Sequence, residues 1–122
     1  MSLPSFQYFT TEIVDDDIVI VGLKHSLLRD EADMRDARKE LLSLVDNYNF
    51  KRIIIEGSKV RLMFSLFIGA LISLRVKVIA DNGKLVLCKF NETIRDTFKM
   101  TKMNTLFIWT EDEDEAIQAA SA

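Results

Sequence analysis

Several residue types that often carry function are scarce in this chain of 122 residues. It contains one cysteine, one histidine, one proline and four glycines. The single cysteine, Cys88, cannot form a disulfide within the chain, which fits the cytoplasm. Because proline and glycine are few and 48% of the residues are hydrophobic, the composition excludes a disordered chain and predicts a folded domain with a substantial core.

A hydrophobic run long enough to cross a membrane is also missing. The uncharged stretch from Leu62 to Leu74 comes nearest, but a spanning helix needs about 20 apolar residues and this stretch lies in mid-chain. The first residues, MSLPSFQYF, lack the basic region and apolar core of a secretory signal. We therefore predict a core element of a soluble, cytoplasmic protein that does not insert directly into a membrane.

The residues for most kinds of catalysis are absent as well. His25 is the only histidine, and a lone histidine serves a catalytic triad only if an acid and a nucleophile meet it in space. The sequence has no nucleotide-binding loop, dinucleotide fingerprint or paired metal-ligand motif. The acidic run 15–17 is typical of a solvated turn. With a net charge of −3 and no concentrated basic segment, nucleic acid is not an expected partner. We expect no enzyme, no catalytic residue, no metal and no cofactor.

What is present is an alternation of short β-branched runs and helical patterns. Asp30 can cap a first helix with Asp33 three residues on, Asn91 can cap a third, and Asn82 or Gly83 can end the second in the left-handed conformation. Strands are predicted at 6–13, 17–23, 52–56, 84–90 and 106–110, and helices at 30–46, at 64–78, after Asn91 and at 111–120. This order predicts one α/β domain over residues 1–122, with an N-terminal hairpin, a mixed and mostly parallel sheet, and about four helices.

The element order and several motifs resemble the STAS domains, which include anti-sigma factor antagonists, stressosome subunits and the cytoplasmic domains of sulfate-type transporters. GKLVLCKFNETIRDTFKMTKMNTLFIWTEDEDEAI is similar to the family's strand, capped helix, Thr-Gly-hydrophobic turn, Leu-Phe strand and acidic end. Lys102 stands where the turn glycine is usual. IIIEGSKV looks like the family's third strand and the loop that follows it. The resemblance covers nearly the whole chain.

This register places residues 64–67 on the family's Asp-Ser-Ser-Gly signature, before an agreeing IGAL. Phe64 takes the place of the aspartate, Ser65 of the first serine, Leu66 of the second and Phe67 of the glycine. In anti-sigma factor antagonists a partner kinase phosphorylates the first serine, so the resemblance implies that Ser65 is a candidate phosphorylation site. Since its neighbours have changed, a plain capping or packing serine is the alternative.

The resemblance implies a non-enzymatic regulatory module that binds an anti-sigma factor or serine kinase-like partner. Its binding residues would begin the second helix and line adjacent loops: Met63, Phe64, Ser65, Leu66, Phe67, Lys24, His25, Ser26, Ser58, Lys59 and Arg61. The two phenylalanines either pack in the core or are covered by another chain. A scaffold subunit that self-assembles, as a homodimer or larger, or serves a membrane transport complex is the second hypothesis.

Overall fold

The computed structural model of the chain describes residues 5–24, 30–63 and 65–122. Its strands are β1 (Phe9–Val14), β2 (Ile18–Leu23), β3 (Arg52–Glu56), β4 (Lys84–Cys88) and β5 (Ile108–Thr110). Its helices are α1 (Glu31–Asp46), α2 (Ser65–Ala80), α3 (Glu92–Met100) and α4 (Glu113–Ser121), with a short 3-10 helix at Asn104–Leu106. The predicted order of strands and helices is confirmed.

The five strands form one sheet in the order β1-β2-β3-β4-β5. β1 and β2 pair as an antiparallel hairpin, with Phe9 opposite Leu23 and Val14 opposite Ile18. The other three pairings are parallel. The predicted fold class, a mostly parallel sheet with an N-terminal hairpin and four helices, is therefore confirmed.

Helices cover the two faces of the sheet unequally. The larger core lies on the face that carries Val19, Ile53 and Leu87, and it takes in the inward side chains of α1, α2 and α3. The opposite face carries Ile18, Ile54, Val86 and Cys88, which pack with Ala116 and Ala120 of α4. Both faces of the sheet are covered by helices, so β2 has no exposed position. This is expected of a strand inside an α/β domain.

Local signals fixed the helix starts. The Asp30 side chain accepts a hydrogen bond from the Ala32 amide at 2.7 Å, and Asn91 accepts one from the Ile94 amide at 2.8 Å. The spacing of Asp30 and Asp33 fits a capping box, in which Asp33 would bond the Asp30 amide, but Asp33 has another partner. Its carboxylate instead accepts a hydrogen bond from the Tyr8 hydroxyl at 2.8 Å. The two residues are 25 positions apart in the sequence, so no local pattern predicts this contact.

The helix ends explain two left-handed residues. Asn82 after α2 has φ 59° and Lys102 after α3 has φ 60°. Both helices close with the same bonds, since the Gly83 amide donates to Val78 O and the Met103 amide to Phe98 O, each at 2.8 Å. Lys102 thus adopts the conformation for which the family's glycine is suited, in spite of its Cβ.

Several predicted boundaries were wrong by two or three residues. β1 begins at Phe9 and not at residue 6, because the Gln7 and Tyr8 amides donate to the Glu40 carboxylate of α1 and not to a strand. β4 ends at Cys88, where Lys89 turns left-handed with φ 59°. The segment predicted as a strand from 106 begins with the end of the 3-10 helix.

Candidate protein-binding surface

The predicted partner surface lies at the edge of the sheet where β2, β3 and β4 end. In a parallel sheet these carboxyl ends meet on one side, where ligands of open α/β folds commonly bind. The loop from β3 to α2 is held there by backbone contacts. The Gly57 amide donates to Cys88 O at 2.9 Å, and the Asn91 side chain donates to Val60 O at 3.2 Å and Arg61 O at 3.3 Å. These hydrogen bonds therefore fix the loop on which the candidate surface lies.

The apolar residues of this loop and of the start of α2 differ in their exposure to solvent. Leu62 is 52% exposed and Leu66 is 56% exposed, whereas Phe67 is only 5% exposed. The Phe67 ring stacks on Phe9 with centroids 6.2 Å apart. Met63 is half-buried against the core. Of the two alternatives stated for Phe67, the structure supports core packing, so its inclusion among the partner-binding residues needs correction.

Ser65 is the first residue of α2, and its side chain is exposed. A phosphate at this position would lie by the unsatisfied amides and the positive dipole end of the helix. Phe64 lies outside the described residues, as do His25 and Ser26, so their predicted roles stay predictions.

The remaining predicted loop residues that the structure describes are Lys24, Ser58, Lys59 and Arg61. Lys24 donates its ammonium to Phe6 O at 2.7 Å, which ties the loop after β2 to the N-terminal segment. The Ser58 amide donates to the Glu56 carboxylate at 2.6 Å. Lys59 and Arg61 are exposed, and within the described part of the chain neither forms an ion pair.

Sequence reasoning missed a contribution from the first turns of α1. A small groove of about 70 Å³ lies between α1 and α2. It is lined by Leu66 and by the α1 residues Glu31, Met34, Arg35 and Arg38. The α1 positions recur at helical spacing, so they share one side of that helix. Their spacing was visible in the sequence, but the packing of α1 beside α2 was needed to bring them to Leu66.

Among the described residues, Tyr8 and Cys88 have pKa values shifted from the ordinary ones, and neither shift favours reactivity. Burial raises the pKa of the Cys88 thiol to about 11, with smaller contributions from Glu56 and Glu113, so the nucleophilic thiolate is disfavoured. The hydrogen bond to Asp33, followed by burial, raises the pKa of Tyr8 to about 12. Cys88 is a buried core residue, as predicted.

Metal-ligand clusters and membrane-spanning helices are both absent from the part of the chain that the structure describes. There, no three His, Cys, Asp or Glu side chains lie together as a metal site requires. Across residues 5–24, 30–63 and 65–122, no helix has both the length and the apolar character needed to cross a bilayer. In the predicted acidic turn, Asp15 and Asp16 are left-handed and Asp17 pairs with Arg52 at 2.6 Å.

Comparison with known proteins decides the family. The model of the STAS domain matches residues 10–116, which is most of the chain. The chain belongs to the STAS domain family. The resemblance seen in the sequence is thereby confirmed. A sequence search of the curated proteins finds no match.

Several solved structures share the fold at low sequence identity. An anti-sigma-factor antagonist (STAS) domain protein from Planctomyces limnophilus superposes with a TM-score of 0.82 at 16% identity, covering 93% of this chain and 98% of that one. The phosphorylated Bacillus cell fate determinant SpoIIAA gives 0.69 at 21% identity, covering 91% and 97%. A variant of RsbS from Moorella thermoacetica gives 0.73 at 15% identity, covering 93% and 94%. At these identities the likeness establishes the fold alone.

Proposed function

We propose that this STAS domain is a non-enzymatic, cytoplasmic regulatory module of the anti-sigma factor antagonist type. It binds an anti-sigma factor or serine kinase-like protein through the start of α2 and the loops beside it. The observation that carries this proposal is the exposure of Leu62, Ser65 and Leu66 where the β3–α2 loop, held by Gly57 and Asn91, enters α2. Apolar side chains at the centre of a protein interface supply much of its binding energy.

We propose in addition that Ser65 is the residue through which the interaction is switched. A kinase partner would transfer the γ-phosphoryl group of ATP to Ser65 Oγ and release ADP, while a base of the kinase accepts the hydroxyl proton. The product carries nearly two negative charges where the apolar contact forms, so binding through Leu62 and Leu66 would weaken. Exposure of Ser65 makes the hydroxyl accessible for this reaction.

The experiment is affinity capture of the tagged protein from its native cytosol, followed by mass spectrometry. We expect a kinase-like ATPase or an anti-sigma factor in stoichiometric amount, and we expect Leu66→Asp to lose it. Val76→Asp is the matched control, because Val76 is 59% exposed on the same helix but lies more than two turns away. Capture that recovers no such protein, or that both variants leave unchanged, would contradict the proposal.

The role of Ser65 is tested separately, by incubating the captured kinase with ATP and either the wild-type protein or Ser65→Ala. Phosphate incorporation into the wild type alone supports the switch. Equal incorporation into Ser65→Ala, or none into either protein, would mean that Ser65 is a structural residue of the helix start.

A scaffold that assembles with itself is the second candidate, and a different surface favours it. β5 is an open edge of the sheet with no charge between Met103 and Thr110. Beside it, Ile79, Leu106 and Ile108 line a groove of about 270 Å³ and are 37–49% exposed. Uncharged open edges tend to pair with another strand.

Sedimentation velocity of the purified protein tests the scaffold hypothesis. If the β5 edges pair, the wild type sediments as a dimer or larger and Ile108→Lys as a monomer. Ile13→Lys, at a similarly exposed position on the opposite edge strand, should keep the wild-type state. A monomeric wild type at all concentrations would dismiss assembly through this edge.

A further inference from the structure

We propose that the groove between the first halves of α1 and α2 accepts an amphipathic helix of the partner protein whose apolar residues are flanked by carboxylates. This inference rests on the proposed function and specifies the chemistry of the partner. Three features support it: the cations of the groove, a glycine of α2 that the isolated chain does not need, and the exposed Leu66.

The cations come first. Arg35 and Arg38 line the groove from α1, and the exposed Lys59 and Arg61 lie in the loop before α2. Within the described part of the chain none of the four forms an ion pair. Arg38 has only one weak contact, a 3.4 Å bond to the Ser73 hydroxyl across the groove.

Most nearby carboxylates of α1 are engaged elsewhere, and the exposed Asp36 is not among the residues that line the groove. Asp30 caps its own helix, Asp33 accepts the Tyr8 hydroxyl and Glu40 accepts two backbone amides. Glu31 is the one carboxylate among the residues that line the groove. The α1 side of the groove therefore presents the guanidinium groups of Arg35 and Arg38. Guanidinium groups can bind a carboxylate through two parallel hydrogen bonds.

Gly69 is the second feature. It lies within α2, one turn beyond Leu66 and one turn before Ser73, and it is exposed. A Cβ added at Gly69 would meet no atom within 4 Å, so nothing in the described structure requires a glycine there. Glycine inside a helix costs stability relative to alanine, and its usual benefit is the close approach of another backbone.

The two helices are more closely joined at their second halves than at their first halves. The second halves of the helices are joined by the Lys77–Asp46 ion pair at 3.0 Å, and Leu74 and Val78 are fully buried there. At the first halves, Leu66 lines the groove with Arg35 and Arg38 beside it, and Gly69 follows three residues later on α2. A helix that lays apolar residues on Leu66 and directs glutamates to the arginines is the occupant that the charges fit.

The test uses two synthetic helical peptides with the same apolar face, one flanked by glutamates and the other by lysines. Each is titrated into the ¹⁵N-labelled protein, and amide shifts are followed by NMR. We expect the acidic peptide to bind at least tenfold more tightly and to shift residues 61–73 and 34–38. Equal binding of the two peptides, or binding of neither, would overturn the inference.

Variants locate the binding. The double variant R35E/R38E should weaken the acidic peptide at least tenfold, while the charge-matched K51E/K99E, at exposed positions elsewhere, should not. Gly69→Leu should also lose at least tenfold. Gly69→Ala should raise the Tm by a few degrees and still weaken binding, a combination that a purely structural role of Gly69 would not produce. Peptide binding that these variants leave intact would contradict the proposed groove.

The outcomes separate this inference from the proposed function. If a kinase-like partner is captured equally by the wild type and by R35E/R38E and Gly69→Leu, the function stands and the groove assignment fails. If the acidic peptide binds as expected but no such partner is captured, the groove stands and the regulatory function fails. A dimer of the free protein that R35E/R38E dissociates would assign the groove to a second copy and overturn the inference.

Discussion

The two ends of the sheet are built in different ways. At the end where β2, β3 and β4 begin, the connections are short and fixed by the backbone: Asp15, Asp16, Asn49 and Asn82 are left-handed, and Gly83 lies against Lys51 O. Ion pairs join neighbouring elements there, Arg52 to Asp17 and Lys77 to Asp46. At the opposite end, Leu62 and Leu66 are exposed, and Lys59 and Arg61 form no ion pair among the described residues. Two ion pairs of this end lie farther along the sheet, Lys89 with Glu113 and Arg95 with Glu111.

This difference indicates a division of tasks within one small domain. Groups at the first end satisfy one another, so changes there should act on stability. At the second end, Leu62 and Leu66 leave apolar surface in the solvent, which is typical of a site that another molecule covers. The predictions below test this division, from the largest expected effect to the smallest.

Phe67→Ala should lower the free energy of unfolding by about 3–5 kcal/mol, since it deletes a buried ring and leaves a cavity beside Phe9. Leu66→Ala, one residue away but exposed, should change it by less than about 0.5 kcal/mol. Urea unfolding followed by circular dichroism measures both. Similar losses for the two variants would show that the boundary between core and surface does not run between these residues.

Gly83→Ala should lower the free energy of unfolding by about 3 kcal/mol, at the upper end of the cost of overpacking. Its new Cβ would lie 2.0 Å from Lys51 O, the same oxygen that accepts the Lys84 amide. Gly69→Ala is the control, because its Cβ meets nothing, and it should gain about 0.5–1 kcal/mol. The same urea experiment applies. A loss in Gly69→Ala as large as that in Gly83→Ala would contradict the contrast.

Lys102→Gly should raise the free energy of unfolding by about 0.5–1 kcal/mol. The left-handed conformation at φ 60° strains a residue with a Cβ, although glycine adds entropy to the unfolded chain. Asn82→Gly should gain less, because asparagine tolerates this conformation better. Thermal unfolding by calorimetry compares them. A Tm of Lys102→Gly at or below that of the wild type would refute the idea that Lys102 is strained.

Tyr8 should make stability depend on alkaline pH. Its pKa is raised from 10.0 to about 12 in the folded protein, so the folded state retains a proton that the unfolded state loses. The stabilisation is complete below pH 10 and declines as the pH rises from 10 towards 12. Denaturant unfolding between pH 9 and 11.5 should show this decline in the wild type. Tyr8→Phe should show a shallower decline, and equal slopes would exclude Tyr8 as the cause.

Much of the fold could be predicted because its signals are local. Asp30 and Asn91 cap helices through amides two or three residues away, and β3 is bounded as predicted at Arg52 and Glu56. The exact start of β1 could not be predicted, since it depends on Glu40 of α1, more than 30 residues away.

The candidate site was located by family register but not resolved by it. α2 is apolar on nearly all sides, so its sequence does not reveal which residues face inward. Phe67 and Leu66 were equal candidates for the surface, and packing against Phe9 buried only the first. Arg35 and Arg38 were absent from the predicted site because they lie on another helix.

The sequence by itself determined the order of strands and helices, their caps and the STAS family, because caps, turns and hydrophobic periodicity act between residues a few positions apart. Only the tertiary structure decided that Phe67 is buried while Leu66 is exposed, that Asp33 bonds Tyr8, and that arginines of α1 flank the start of α2. Those outcomes depend on contacts between segments distant in the chain, and such contacts exist only once the helices have packed on the sheet.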